Sequence, residues 1–305
     1  MSAMSDESGS RTGAVMTSHG GSGTGAGTTV GDVVGVLEAA YPLAWAEEWD
    51  RAGLVLGERD APVGRVLLAV DPTLAVAREA VERGGELLIT HHPLLLRGAS
   101  FLPADDGKGA VVTSLLRAGT ALWCGHTNVD RSTRGTVGAW LRALALQDAR
   151  PLLPGDEGEP AGHGSHRFGL GAVGELTAPT SVGDLAQRIA GLVPATARGI
   201  LHTGEAERRV RTVAVCPGAG DSFLEAATRS GADVYITSDL RHHPALEHLE
   251  AAADPAAVPA LIDVPHAASE ALWLPLAREL LAETLPGLEV MVTDRVTDPW
   301  GGRAG

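Results

Sequence analysis

Apolar positions in this chain fall into short continuous runs separated by stretches of helical spacing. The first periodic stretch follows Thr29-Val30-Gly31-Asp32, a capping-box pattern with Asp in place of Glu or Gln. Val30, Val33, Val34 and Leu37 then share one helical face. A loop with two aromatic anchors, Trp45 and Trp49, leads to a strand around Leu54 and Leu56. Residues 66–70 form a second apolar run, which ends at Asp71-Pro72-Thr73. Leu74, Ala77 and Val81 predict a helix over 73–83, and Gly84-Gly85 stops it. Leu87-Leu88-Ile89 reads as a buried strand, so this segment is a β-α-β unit with parallel strands. A helix over 110–119, a strand at 121–124 and a helix over 135–146 follow.

The second half repeats this order. Arg65-Val66-Leu67-Leu68-Ala69-Val70 has a counterpart in Arg211-Thr212-Val213-Ala214-Val215. Gly84-Gly85-Glu86-Leu87-Leu88-Ile89-Thr90 has one in Gly231-Ala232-Asp233-Val234-Tyr235-Ile236-Thr237. The expected fold class is α/β: two similar subdomains from an internal repeat, with two loop sets facing one cleft. Residues 1–28 are Gly, Ser and Thr with little to bury and read as a disordered tail without a secretory apolar region. The subdomains are placed at 29–150 and 168–260, the second with a helix over 181–192. Between them 151–167 is a Pro, Gly and acidic linker, whose Asp156-Glu157-Glu159 is expected on the outer surface. The segment 261–305 supplies a strand, a helix from about His266 to Leu285, and a last strand that complete the cleft.

Candidate chemistry sits at the strand ends. The strand at 87–89 runs into Thr90-His91-His92-Pro93, at the carboxyl edge where open α/β sheets place ligands. Adjacent side chains on extended backbone point apart, and Pro93 keeps His92 extended. Such a pair suits two neighbouring metal ions, one imidazole each; it also suits a turn with two solvated histidines. The strand at 121–124 ends in Gly125-His126-Thr127-Asn128-Val129-Asp130, which adds His126 and Asp130. In the repeat, Ser238-Asp239-Leu240-Arg241-His242-His243-Pro244 stands where the first copy has His-His-Pro. The strand ending at Asp263 leads to Pro265-His266-Ala267-Ala268-Ser269-Glu270, with His266 and Glu270 four apart on one helical face. A carboxylate so placed can bridge two metals, or be a solvated first-turn acid favoured by the helix dipole. His163, His166 and His202 lie outside strand ends and read as surface residues.

Composition narrows the classes. The 305 residues carry a net charge of −14 without a long basic run, which argues against duplex nucleic acid as a partner. No apolar run reaches transmembrane length. Cys124 and Cys216 make neither a disulfide framework nor a metal spacing, which fits a reducing, cytoplasmic setting.

These residues resemble a known family. The blocks Trp49-Asp50 with Gly53-Leu54, Ile89-Thr90-His91-His92-Pro93-Leu94, His126-Thr127-Asn128-Val129-Asp130, Thr237 through His243, Asp263 through Glu270, and Thr297-Asp298-Pro299-Trp300 occur in its order. The chain is similar to the GTP cyclohydrolase 1 type 2 family, also called Nif-three-like, of dinuclear-metal toroid hexamers. The resemblance implies two divalent metal ions per chain, zinc, iron or manganese, in the cleft. His91 and Asp130 would hold one, His92 and His266 the other, with Glu270 bridging. It further implies a homohexamer, a trimer of dimers. Trp300, beside a Gly-rich terminus, is then the tryptophan expected at an interface. Arg51, His242, Arg131 and Arg134 depart from the family pattern and bear on substrate contacts rather than on the metals. The chain is also short between Leu146 and Val210 for the extra domain that some members carry.

Two functions follow. One is a metal-dependent hydrolase, with GTP ring opening and formate release as the reaction the family label suggests. His126 or His243 would shuttle protons there, and Arg97, Arg131, Arg134 or Arg241 would meet the phosphates. The other is a non-catalytic metal-binding scaffold or adaptor, which the lack of a Gly-rich phosphate loop favours over GTP chemistry.

Overall fold

The computed structural model describes residues 27–153 and 168–304. The tail before Gly27, most of the linker, His163, His166 and the acidic loop at 156–159 lie outside the described residues. The first half contains α1 (Val30–Ala40), β1 (Gly53–Leu56), β2 (Arg65–Ala69), α2 (Leu74–Glu82), β3 (Leu87–Thr90), α3 (Gly107–Ala118), β4 (Ala121–Cys124), the short α4 (Thr127–Asp130) and α5 (Thr136–Leu144). The second contains β5 (Gln147–Leu153), β6 (Leu170–Ser181), α6 (Val182–Ala190), β7 (Leu201–His202), β8 (Arg209–Ala219), α7 (Leu224–Arg229), β9 (Val234–Ser238), α8 (His242–Leu249) and β10 (Ala260–Asp263). The chain closes with α9 (His266–Glu270), α10 (Trp273–Thr284) and β11 (Glu289–Val292).

Two sheets result, in the orders β1-β4-β3-β2-β11 and β5-β6-β8-β9-β10-β7. In the first, β11, β2, β3 and β4 are parallel and β1 is antiparallel. In the second, β8, β9 and β10 are parallel, while β5, β6 and β7 join antiparallel. The repeat is visible in the backbone. Glu86 donates its N–H to Arg65 and accepts from Ala121; Asp233 does the same with Thr212 and Ala260. The Glu86 carboxylate also accepts from the N–H groups of Gly64 and Arg65, as that of Asp233 does from Arg211 and Thr212. These bonds pair Arg65 with Thr212. The sequence match of Arg65 with Arg211 is therefore one residue out of register.

Local predictions hold at many elements, and the differences include β6 and α8, which the apolar pattern does not predict. Thr29 caps α1 in a full capping box with Asp32. Residues 151–153, expected in the linker, instead end β5. The helix expected from His266 onward breaks into α9 and α10. Pro275 explains the break: it has no N–H for the Ala271 carbonyl, and its ring crowds that group. Finally, β7 escaped notice because it is a two-residue edge strand; His202 lies exposed on it.

Both sheets are packed on both faces. Val33, Val34 and Leu37 of α1 meet Val66, Leu68 and Ile89 of the first sheet together with Trp273 and Leu281 of α10. Val137 and Trp140 of α5 meet Val213, Val215 and Ile236 of the second. Among the described residues no helix is long and apolar enough to cross a membrane.

Candidate metal centre

The carboxyl ends of β3, β4, β9 and β10 converge where the two halves meet. His91 and His92 leave β3, and the His91 imidazole is fully buried. Its Nδ1–H donates to the Gly125 carbonyl at 2.8 Å, which leaves Nε2 as the lone-pair nitrogen. That Nε2 is buried without a hydrogen-bond partner, 3.4 Å from Glu270 Oε1 and 3.6 Å from Asp130 Oδ1. The Trp273 ring packs against the same imidazole, with centroids 5.7 Å apart.

The other two histidines of the cluster are oriented by carboxylates. His92 Nδ1–H donates to Asp71 Oδ1 at 2.7 Å, and its Nε2 lies 2.9 Å from Glu270 Oε2. His266 Nδ1–H donates to Asp239 Oδ2 at 2.7 Å, and its Nε2 lies 3.0 Å from Glu270 Oε1. Glu270 itself is buried, on a short helix that Trp140 fixes by donating from Nε1 to the Ser269 carbonyl at 3.1 Å. Its Oε2 has no aligned hydrogen bond in spite of the close His92 nitrogen. Gly218, with φ of +73°, lets β8 pass against this carboxylate. A Cβ there would stand 2.5 Å from Glu270 Oε1.

Charge follows from this crowding. Burial works against protonation of His92 and His266, yet Glu270, Asp71 and Asp239 outweigh it and lift them to about 11 and about 10. His91 is raised for the same reason, by Glu270 and Asp130 acting against burial. Burial alone would raise Glu270; the imidazoles of His92, His91 and His266 instead hold it well below the usual carboxylate range. Asp130, half-buried beside Glu270, is pushed up by desolvation and by that neighbouring carboxylate. The cluster thus demands positive charge at its centre.

A divalent cation fits that demand. It would satisfy His91 Nε2 and Glu270 Oε2, two buried atoms that otherwise each cost roughly 1–3 kcal/mol. Among the described residues two groups of side chains could hold an ion: His91 with His92 and His126, and His92 with His266 and Glu270, each with ligand atoms within 4.8 Å of one another. The donors are nitrogen and oxygen without thiolate, a set suited to zinc, iron or manganese.

A cavity of about 760 Å³ opens onto the cluster, with Trp49, His126 and Asp130 on one side and Pro217, Gly218 and Phe223 on the other. His126 Nδ1–H donates to Asp50 Oδ1 at 2.8 Å, and its ring centroid stands 5.3 Å from that of His91. Thr127 donates to Asp50 from both its N–H and its hydroxyl. Burial raises Asp50, but the bonds from His126 and Thr127 more than reverse it and its pKa is lowered. His243 stands elsewhere, exposed in the first turn of α8 with its ring against His242. The structure does not bring it to the cluster.

A family model described as Duf34/NIF3 (NGG1p interacting factor 3) matches residues 28–299. The chain belongs to the Duf34/NIF3 family. A GTP cyclohydrolase 1 type 2 homolog of Streptomyces coelicolor is 44% identical to it over 273 residues, or 88% of this chain and 92% of that protein. A solved Staphylococcus aureus hypothetical protein aligns with a TM-score of 0.77 at 26% identity, over 90% of this chain and 99% of that one. A Bacillus cereus protein related to NIF3 shares the fold, with a TM-score of 0.78 at 21% identity over 90% and 98%.

In this Duf34/NIF3 chain the residues that sequence reasoning missed are Asp71 and Asp239 as orienting partners and Asp50 as the anchor of His126. Asp239 directly follows β9 and Asp71 stands two residues after β2, the one signal that marks them.

Proposed function

We propose that this chain is a metal-dependent hydrolase holding two divalent ions, zinc, iron or manganese. His91 and Asp130 would serve one ion, His92 and His266 the other, and Glu270 would bridge. The observation that carries this reading is the convergence of three imidazole Nε2 atoms, those of His91, His92 and His266, on both oxygens of one buried carboxylate. Asp71 and Asp239 support it, since metal-bound imidazoles commonly donate their second N–H to a carboxylate. Two such ions supply an activated water and stabilise an oxyanion.

The chain's own residues supply the remainder. Asp50 fixes the His126 tautomer, so its Nε2 is free to accept a proton from an attacking water and return it to a leaving nitrogen. Trp49 and Phe223 give the cavity apolar walls for a ring. The name of the Streptomyces relative suggests GTP, opened at the purine ring with release of formate. Formate assayed after incubating metal-loaded protein with GTP tests this. Formate above the level of a His126→Ala control is the expected result; equal levels would remove GTP hydrolysis from the reading.

One observation favours a second reading, a non-catalytic metal-binding scaffold or adaptor. The arginines offered to a triphosphate are largely engaged: Arg131 with Glu47, Arg134 with Glu283 and Arg241 with Asp221. Both readings include a cytoplasmic homohexamer, a trimer of dimers. Exposed Trp49, Phe101 and Trp300 support buried faces in an assembly. Light scattering after size exclusion is expected to give about six chain masses; a monomer at micromolar concentration would exclude the assembly.

A further inference from the structure

The segment after β11 crosses back over the metal cluster. Three contacts pin its start. Thr293 donates its N–H to the Leu68 carbonyl at 3.0 Å, its hydroxyl donates to Glu79 at 2.7 Å, and Arg295 Nε donates to the same carboxylate at 2.9 Å. Two residues further on, the Thr297 hydroxyl donates to Asp71 Oδ2. The other oxygen of that carboxylate is the acceptor for His92 Nδ1–H. Thr297 therefore fixes the plane of the carboxylate that fixes the plane of the imidazole.

The segment also walls a second, smaller cavity of about 190 Å³. Thr297, Asp298 and Trp300 form one side, and His92, His266 and Asp239 form the other. This cavity shares only His266 with the larger one. Its histidines are the pair that approach Glu270 from two sides, and neither His91 nor Asp130 lines it. The two carboxylates that orient this pair differ in support. Asp71 is held by Thr297, whereas Asp239 stands at φ of +55° with His266 as its hydrogen-bond partner.

We infer that residues 293–300 are a latch on one of the two metals, the one served by His92 and His266, with Thr297 as the positioning residue. The inference rests on the two-metal reading above. Holding Asp71 keeps His92 Nε2 aimed at the ion, and the strap covers the small cavity on the His92 and His266 side of it. Loss of an orienting partner of a metal-bound histidine typically costs about 10–100-fold in affinity, and the latch places that loss in the dissociation rate.

The test follows chelator-driven metal release from full-length protein loaded with zinc, using a chromogenic chelator, for wild type, Thr297→Val and Thr297→Ser. Wild type is expected to release two ions in two phases. Thr297→Val should speed one phase about tenfold or more and leave the other unchanged. Thr297→Ser, which keeps the hydroxyl, should restore the wild-type rate. A Val variant with both phases at wild-type rates overturns the latch. Acceleration of both phases also overturns it, because a general loosening of the fold would do that; thermal melting of the metal-free variants identifies this case. Wild-type protein that binds no zinc refutes the two-metal reading instead, so the two failures are distinguishable.

Discussion

Gly218 shows how little room surrounds Glu270. Its φ of +73° costs an ordinary L-residue about 1–2 kcal/mol, and the added methyl group would sit 2.5 Å from the Glu270 carboxylate. Gly231 has a similar φ of +78° with open space around it. Gly218→Ala is therefore expected to lower both stability and metal content, whereas Gly231→Ala lowers stability alone. Equal metal content in the two variants, measured by elemental analysis, would contradict this account of Gly218. At this scale the sequence is informative where a side chain leaves a strand end or opens a helix. His91, His92, Asp130, His266 and Glu270 all do so, and the structure brings them together. The residues that aim the imidazoles were not legible. Asp50, Asp71 and Asp239 lie 76, 21 and 27 positions from the histidines they hold, and only the fold closes those distances. His243 shows the converse. Its His-His-Pro setting copies that of His92, yet it lies in the first turn of a surface helix.

Elements were read well where apolar periodicity continues unbroken. The β-α-β units of both halves appear as predicted because their strands are buried on both faces and read as continuous apolar runs. The one-residue slip in the repeat came from matching Arg65 to Arg211 by identity; backbone bonding follows strand register, which side-chain identity does not fix. The antiparallel strands β5, β6 and β7 were missed or shortened because Pro, Gly and exposed residues interrupt their patterns. One element contact carries a pH signature. Glu79 on α2 accepts from Arg83, Thr293 and Arg295, which ties the helix to the segment after β11. Burial raises its pKa, but the bonds from Thr293 and Arg83 more than reverse this, so the folded value is depressed. A depressed folded pKa contributes stability above the unfolded value, near pH 4.3, that is lost as pH falls through the folded one. Urea midpoints measured from pH 7 to pH 3 should therefore fall more steeply in wild type than in Glu79→Gln. Parallel curves would show that Glu79 contributes no such linkage.

In the whole molecule the two halves are alike in backbone and unlike in what they bring to the centre. The first brings His91, His92, His126 and Asp130; the second brings Gly218 and Asp239, and the segment after β10 brings His266 and Glu270. The group of His91, His92 and His126 comes from the first half alone, whereas that of His92, His266 and Glu270 needs the segment after β10, so the second group exists only when the two sheets are packed as observed. The central claim is that Glu270 joins two metals into one centre. Elemental analysis of protein purified without chelator tests it most directly, on wild type, Glu270→Ala and His91→Ala. The account predicts about two divalent ions per wild-type chain, joint loss of both in Glu270→Ala, and loss of mainly one in His91→Ala. Metal-free wild type, or a Glu270→Ala protein that still binds one ion at full affinity, would contradict it.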